Sequence, residues 1–484
     1  GSIPFMISVD GETVEESGSE SDRPVDEQRR TDVDLSAVDI QVKFDGLEAE
    51  PLLSVAAAPR PGAVPLTGGG RLPLAFIFAG LLAFGAVAAW LARAAAGGLP
   101  PFLHPELVAA AHLWLPGFLL SVCFGASYQL MPVVLGEALR VRDGWLWMHA
   151  ILHAAGVAAL VWGLAGGRYL VAASGGVAVV LGATVLATAT WRTFRVSRRR
   201  DAAAWSFLFA AGWLMATTTA GVLMALNRRH GFLPLSMIDL LKAHAHLGLV
   251  GYFASLLQGV TFQLVPMFTM GEARRPRIAS AALFATQAGL PVLAVGLAWN
   301  ERAPALAGAV VLAAGFAGTA AALAATLATR RRRRLDVGVR AFVIGMGLLG
   351  IGAVGGLALV CGAVGAERVV GAATAYGFVV IAGGLSLTIL GMLAKILPFL
   401  VWMRAYGPRV GKGPVPVATS LASRGLEETW LWTHLAGLAG LATGAWGGAR
   451  WPATAGGLLL AIGAAAWLGN ACRVTRHLWP RGGR

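Results

Sequence analysis

From about residue 72 onward, apolar runs of about 20–35 residues recur twelve times. They fall at 73–96, 103–136, 144–166, 168–191, 204–227, 237–268, 278–299, 303–328, 338–362, 368–403, 427–448 and 453–474. A run of about 20 apolar residues is what an α-helix needs to cross the hydrocarbon core of a bilayer. Inside lipid a backbone must satisfy its own hydrogen bonds, and helices do so segment by segment. The composition agrees. Of 484 residues, 56% are hydrophobic and only 13% are charged, with a mean hydropathy of +0.67. A soluble domain carries about a quarter charged residues. These values exclude a soluble enzyme, a disordered chain and a disulfide scaffold. They predict an all-α integral membrane protein whose membrane domain covers residues 71–484.

The net charge of +14 conceals an asymmetry: residues 1–70 carry −9 and the remainder +23. The first stretch is acidic, has no sustained periodicity and reads as a disordered tail. The bases sit in short loops between apolar runs. Loops after segments 2, 4, 6, 8 and 10 hold nineteen, including Arg198–Arg200 and Arg330–Arg334, whereas the alternate loops hold six. That bias predicts cytoplasmic termini in a cell inner membrane, with membrane lipid and no nucleic acid as the partner of the positive charge. Cys123, Cys361 and Cys472 lie in or beside apolar runs without CxxC spacing and read as packing residues.

An internal repeat is the most informative feature. Segment 2 reads HLWLPGFLLSVCFGASYQLMP from His112 to Pro132, and segment 6 reads HLGLVGYFASLLQGVTFQLVP from His246 to Pro266. His, Gly117/Gly251, Ser121/Ser255, Gly125/Gly259, Gln129/Gln263 and Pro132/Pro266 match at an offset of 134. Segment 10 repeats the end of the pattern with Gly391, Lys395 and Pro398 at an offset of 132, and Phe378 stands where the His would be. Segments 3 and 11 echo each other as Trp145–His149 and Trp430–His434. The expected architecture is three four-helix units, at about 72–200, 201–335 and 336–476, with pseudo-threefold symmetry. The second helix of each unit is the special one.

Six histidines fall inside apolar segments, where an ionisable side chain is costly and points to function. His112, His244 and His246 share one depth towards the outer side. His149, His153 and His434 sit towards the cytoplasmic side. Neutral imidazole suits haem or copper, and all six are candidate ligands. For the last three, hydrogen bonds to neighbouring carbonyls are the competing reading. Residues two apart on a helix point about 200° apart, so His244 and His246 face different sites. His149 and His153, four apart, share a face. The repeated Gly125, Gly259 and Gly391 allow close approach of a helix or of a flat macrocycle. Lys395 reads as a snorkelling side chain. Glu106, Asp239, Glu272, Glu367, Glu427 and Glu428 all lie near segment ends, so the buried acid series of an ion-coupled pump is missing from the pattern.

Twelve helices in three units resemble the large subunit of haem-copper oxidases and nitric oxide reductases. Gly125–Pro132 resembles the end of the nitric oxide reductase second helix, which follows a haem-ligand His. His244–Pro266 is similar to the family's tenth helix, whose HxH serves two haems. The resemblance implies that His112 and His246 are axial ligands of one b-type haem and that His244 faces a second site, for another haem or for copper. It also implies a cytochrome or quinol electron donor, or other respiratory subunits, as partners, and an oxidoreductase of the nitric oxide reductase kind. Here the HxH stands on segment 6, segment 10 has no His, and segment 7 lacks an adjacent His pair. The usual binuclear centre is therefore not expected. Competing expectations are a haem- and copper-containing protein of the nitrosative-stress response, a non-catalytic respiratory subunit, and a transporter with structural histidines.

Overall fold

The computed structural model describes residues 8–9, 12–13, 70–98, 100 and 103–479, in two units, 1–60 and 61–484. In the first unit, Ser8–Val9 (β1) and Glu12–Thr13 (β2) pair antiparallel, with Ser8 opposite Thr13. Apart from these residues and Gly70, the expected acidic tail at 1–70 lies outside the described residues.

The second unit is helical. Its long helices are α1 (Arg71–Gly97), α2 (Pro105–Leu135), α3 (Asp143–Ala165), α4 (Tyr169–Val196), α5 (Ala202–His230) and α6 (Met237–Thr269). They continue as α7 (Pro276–Ala298), α8 (Arg302–Ala328), α9 (Val337–Val360), α10 (Val369–Ala405), α11 (Arg424–Gly447) and α12 (Arg450–Thr475). Among the described residues, eleven of these are long and apolar enough to cross a membrane. The one that falls short is α11, the eleventh segment of the sequence reading. It has 24 residues, so its length suffices, but Trp430, Trp432, Trp446, Thr429, Thr433, Thr443 and His434 dilute its aliphatic side chains. The second unit is thus all-helical, and by the length and composition of its helices the chain is a multi-pass membrane protein. Side chains such as Leu82 and Trp451, both more than three-quarters exposed, fit a lipid-facing surface.

Each helix packs against the next in sequence, and α12 packs back on α1. Three helices lie deepest: the spanning windows of α2, α6 and α10 are 61%, 78% and 72% buried, against at most 50% elsewhere. They meet one another. Trp114 of α2 donates to the Ser386 hydroxyl of α10 at 3.0 Å, and the rings of Phe124 (α2) and Tyr252 (α6) stand 6.3 Å apart.

These same three helices are interrupted in the same place. A wide π-helical turn runs over Leu113–Leu120 in α2, Leu247–Ala254 in α6 and Val379–Leu385 in α10. Each begins immediately after a repeat-matched residue: His112, His246 or Phe378. π-turns are rare and cluster at functional sites.

The repeated glycines pack helices. A Cβ on Gly125 would fall 2.5 Å from the Pro73 carbonyl of α1, and one on Gly391 2.5 Å from the Gly338 carbonyl of α9; one on Gly259 would collide with Ser206 of α5. Of the two readings of these positions, close helix approach accounts for all three. A further set of contacts recurs in the hairpins. Gly156 meets the Gly175 carbonyl, Gly289 that of Gly308 and Gly437 that of Gly456, at one constant sequence separation. Gly163, Gly296 and Gly444 likewise press on the backbone of Ala172, Ala305 and Ala453. With no side chain in the way, the paired backbones of α3/α4, α7/α8 and α11/α12 close up in the same manner.

Candidate functional site

The first site lies between α2 and α6. The imidazole of His112 hydrogen-bonds through Nδ1 to the Val108 carbonyl one turn earlier, at 2.8 Å. The carbonyl must be the acceptor, so Nδ1 carries the proton and Nε2 keeps its lone pair. Facing it is His244, with ring centres 6.3 Å apart and planes 16° from parallel. The buried Nδ1 of His244 has no hydrogen-bond partner among the described residues. Gly221 of α5 makes room for the ring: a Cβ there would sit 3.1 Å from Cε1 of His244. An imidazole bound at about 2 Å puts its centre about 3 Å from a metal, so two rings across one metal stand about 6 Å apart. The ring spacing matches that of two imidazoles across one metal, and His112 keeps a lone pair on Nε2; a buried ring nitrogen without a partner is found on His149, His153 and His434 as well as on His244.

The second pair lies between α6 and α10. His246 repeats the arrangement of His112, with Nδ1 at 2.8 Å from the Lys242 carbonyl, which frees Nε2. It turns to Tyr376, not to His112. The rings stand 6.4 Å apart and 20° from parallel, and the phenol oxygen is 3.3 Å from Nε2. The longer phenol occupies the space that a metal takes between two imidazoles, and the pair is closed by a direct hydrogen bond. A small apolar cavity of about 60 Å³ adjoins it, walled by Gly352, Ala353 and Gly356 of α9 and Ala309 and Ala313 of α8.

The two pairs are one relationship applied twice. His112 and His246 correspond at the offset of 134, and His244 and Tyr376 at 132. In both cases the later residue of the x–x–x triplet on one special helix meets the earlier residue of the triplet on the next. The remaining members are Phe378 and Ala110, which carry no ligand atoms. The expected His112–His246 facing pair is therefore replaced by His112–His244 and His246–Tyr376. Tyr376 was missed in the sequence reading, although it stands in the HxH register already aligned.

The other three candidates are held by hydrogen bonds. Nε2 of His153 lies 3.1 Å from the Pro116 carbonyl inside the π-turn of α2 and 3.0 Å from the Ser121 hydroxyl. Nε2 of His434 donates to the Ala382 carbonyl inside the π-turn of α10 at 2.7 Å. His149 shares a 2.7 Å hydrogen bond between Nδ1 and the Tyr128 hydroxyl, and its ring packs among Phe76 and Phe124. The echo of Trp145–His149 and Trp430–His434 misaligns these helices by one turn. The hairpin glycines Gly163 and Gly444 put His153, not His149, opposite His434. In α7 the next position, Gln287, reaches the matched Ser255 hydroxyl at 2.9 Å. His104 caps α2 and His477 bonds Tyr406, as suits segment ends. Among the described residues no three His, Cys, Asp or Glu side chains gather as a metal site.

Lys395 pairs with Asp336 at 2.6 Å, so it is an ion-pair partner at the end of α10 and not only a snorkelling chain.

The chain matches no protein-family model and no curated protein.

Proposed function

We propose that this chain is a haem-b-binding protein of the inner membrane, resembling the large subunit of nitric oxide reductases and haem-copper oxidases, and that it works in electron transfer or nitric oxide handling. In this reading its helices form three four-helix units about a pseudo-threefold axis, with α2, α6 and α10 at the centre and both termini cytoplasmic. The observation that carries it is the near-parallel pair of His112 and His244. These two residues would hold the haem, with the Val108 carbonyl fixing the ring of His112 and Gly221 making room for that of His244. Haem held there by His112 and His244 would supply one-electron chemistry. A cytochrome or a quinol is the donor that this chemistry calls for. The hydrogen bond between His246 and Tyr376 argues for one haem, with no second haem and no copper at that pair.

The test is the visible spectrum of the purified protein. A sharp reduced b-type band is expected in the parent, lost in both His112→Ala and His244→Ala and kept in His246→Ala. Loss in His246→Ala with retention in His244→Ala would instead support a His112–His246 pair. A colourless parent, or one whose spectrum ignores all three substitutions, would sink the haem reading.

A further inference from the structure

A second, unrelated cavity opens at the Arg-rich end of the helices, between α5, α6, α7 and α8, with a volume of about 500 Å³. That is within the range of roughly 300–1,000 Å³ typical of small-molecule sites. Its rim is basic. Arg199 is held in place by Asp201 at 2.7 Å and by the Gln263 side-chain oxygen at 2.9 Å. The other oxygen of Asp201 caps α5 by accepting from Ala204 N, so this carboxylate is fully engaged. Arg275 and Arg277 also line the cavity, and neither has an acidic partner among the described residues. The neighbouring Glu272 is already paired with Arg274. The first turns of α5 and α7 both enter the wall, at Ala202 and Pro276, and add the positive ends of two helix dipoles.

The floor is of the opposite character. Ala202, Ala279, Ala322 and Phe262 close it, and they belong to a small apolar cluster that Trp205 and Phe209 pack against. From there an aromatic track continues. Trp205 and Phe209 stack at 5.7 Å, Phe209 meets Phe284 edge-on at 5.8 Å, and Phe284 is about half exposed at 47%. A soluble anion would use the rim and leave the track bare. An amphiphile uses both.

We propose that this cavity binds an anionic phospholipid, its phosphodiester held by Arg275, Arg277 and Arg199 and an acyl chain lying along Phe262, Trp205, Phe209 and Phe284. Basic pockets between helices are suited to anionic headgroups, and each Arg near such a charge contributes about 1 kcal/mol. The occupant is set by charge and by shape together: two guanidinium groups without an acidic partner among the described residues favour an anion, and the aromatic track favours a chain.

The experiment is native mass spectrometry of the full-length protein in neutral detergent, titrated with phosphatidylglycerol or phosphatidylcholine. Phosphatidylglycerol is expected to remain bound and phosphatidylcholine to be lost. R275Q/R277Q should weaken phosphatidylglycerol binding about tenfold or more, whereas R331Q/R333Q, which keeps the cavity intact, should change it less than about twofold. Phe284→Ala should weaken lipid binding several-fold. The proposal fails if R275Q/R277Q binds phosphatidylglycerol like the parent, or if phosphatidylcholine binds equally. It also fails if millimolar inorganic phosphate displaces the lipid while Phe284→Ala has no effect, since the site then takes a soluble phosphate.

Discussion

The imidazole of His434 donates to the carbonyl of Ala382 across 2.7 Å, from α11 into the π-turn of α10. A π-turn shifts the hydrogen-bond ladder by one residue and leaves a carbonyl short of its donor. Buried in a membrane domain, that carbonyl has no water to turn to. His153 meets Pro116 in the π-turn of α2 in the same way. Two of the intramembrane histidines therefore stabilise the wide turns that set the direction of His112 and of the third special helix.

Replacing His434 by Leu should leave the Ala382 carbonyl buried and unbonded. Thermal unfolding in detergent should show a loss of about 1–3 kcal/mol. Gln, which keeps a donor at similar reach, should recover most of it. The haem spectrum should be unchanged in both. A loss of bound cofactor in His434→Gln would mean that the imidazole is a ligand after all.

What could be read in the sequence followed from one-dimensional signals. The spans, the loop-charge bias and the singularity of segments 2, 6 and 10 come from hydropathy and from matched residues at fixed offsets. The partner of His112 does not, because two positions on one helix face different neighbours, and only the packing of α2 against α6 selects His244. The Trp145–His149 echo was misleading for a related reason. Tryptophans near a helix end recur because interfaces favour them, whereas register in the fold is set by where backbones touch, at Gly163 and Gly444. The π-turns have no side-chain signature that survives in isolation.

Gly296 tests how far those backbone contacts hold the hairpins. Its missing side chain lets α7 lie against the backbone of Ala305. Gly296→Val should separate α7 from α8 and lower the folded yield sharply, with a stability loss of about 3 kcal/mol from overpacking. Gly347→Val is the control, since a Cβ there meets nothing within 4 Å; its yield should stay near that of the parent. Equal yields for the two variants would show that the close contact at Gly296 is dispensable.

Lys395 and Asp336 form a 2.6 Å ion pair with Lys395 only 15% exposed. Removing one partner leaves a mostly buried charge alone. Lys395→Met should cost about 1–3 kcal/mol in thermal unfolding, discounted for the more exposed Asp336. The double variant K395M/D336N should recover part of that loss. Additive losses in the double variant would show that the two side chains are energetically independent.

The charge bias of the loops fixes an orientation that accessibility labelling can check. Arg330–Arg334 should be cytoplasmic, and Gly231, where α5 ends in a left-handed turn, should face outward. A membrane-impermeant thiol reagent applied from outside should label Gly231→Cys and miss Leu335→Cys. The reverse pattern would invert the topology and place the basic cavity on the outer side.

The relationship between the two pairs makes a constructive prediction. His246 already presents an unprotonated Nε2, because the Lys242 carbonyl holds its Nδ1 proton as Val108 holds that of His112. Tyr376 holds the place that His244 holds at the first pair, but its phenol oxygen extends to 3.3 Å from Nε2 and fills the gap. An imidazole at 376 is shorter than the phenol and ends in a nitrogen. With ring centres kept near the present 6.4 Å, the gap becomes that of two imidazoles across one metal. The cavity of about 60 Å³ beside it, between Ala309, Ala313, Gly352 and Gly356, has room for an ion and a water and not for a macrocycle. Tyr376→His should therefore create a two-imidazole site for an added divalent ion such as Zn²⁺, binding that the parent lacks and that His112→Ala does not remove. Tyr376→Phe, which removes the hydrogen bond without supplying a ligand, should leave ion binding as in the parent. If Tyr376→His folds and binds no more of that ion than the parent, the α6–α10 pair is not the counterpart of the α2–α6 pair, and the assignment of His244 by that correspondence fails with it.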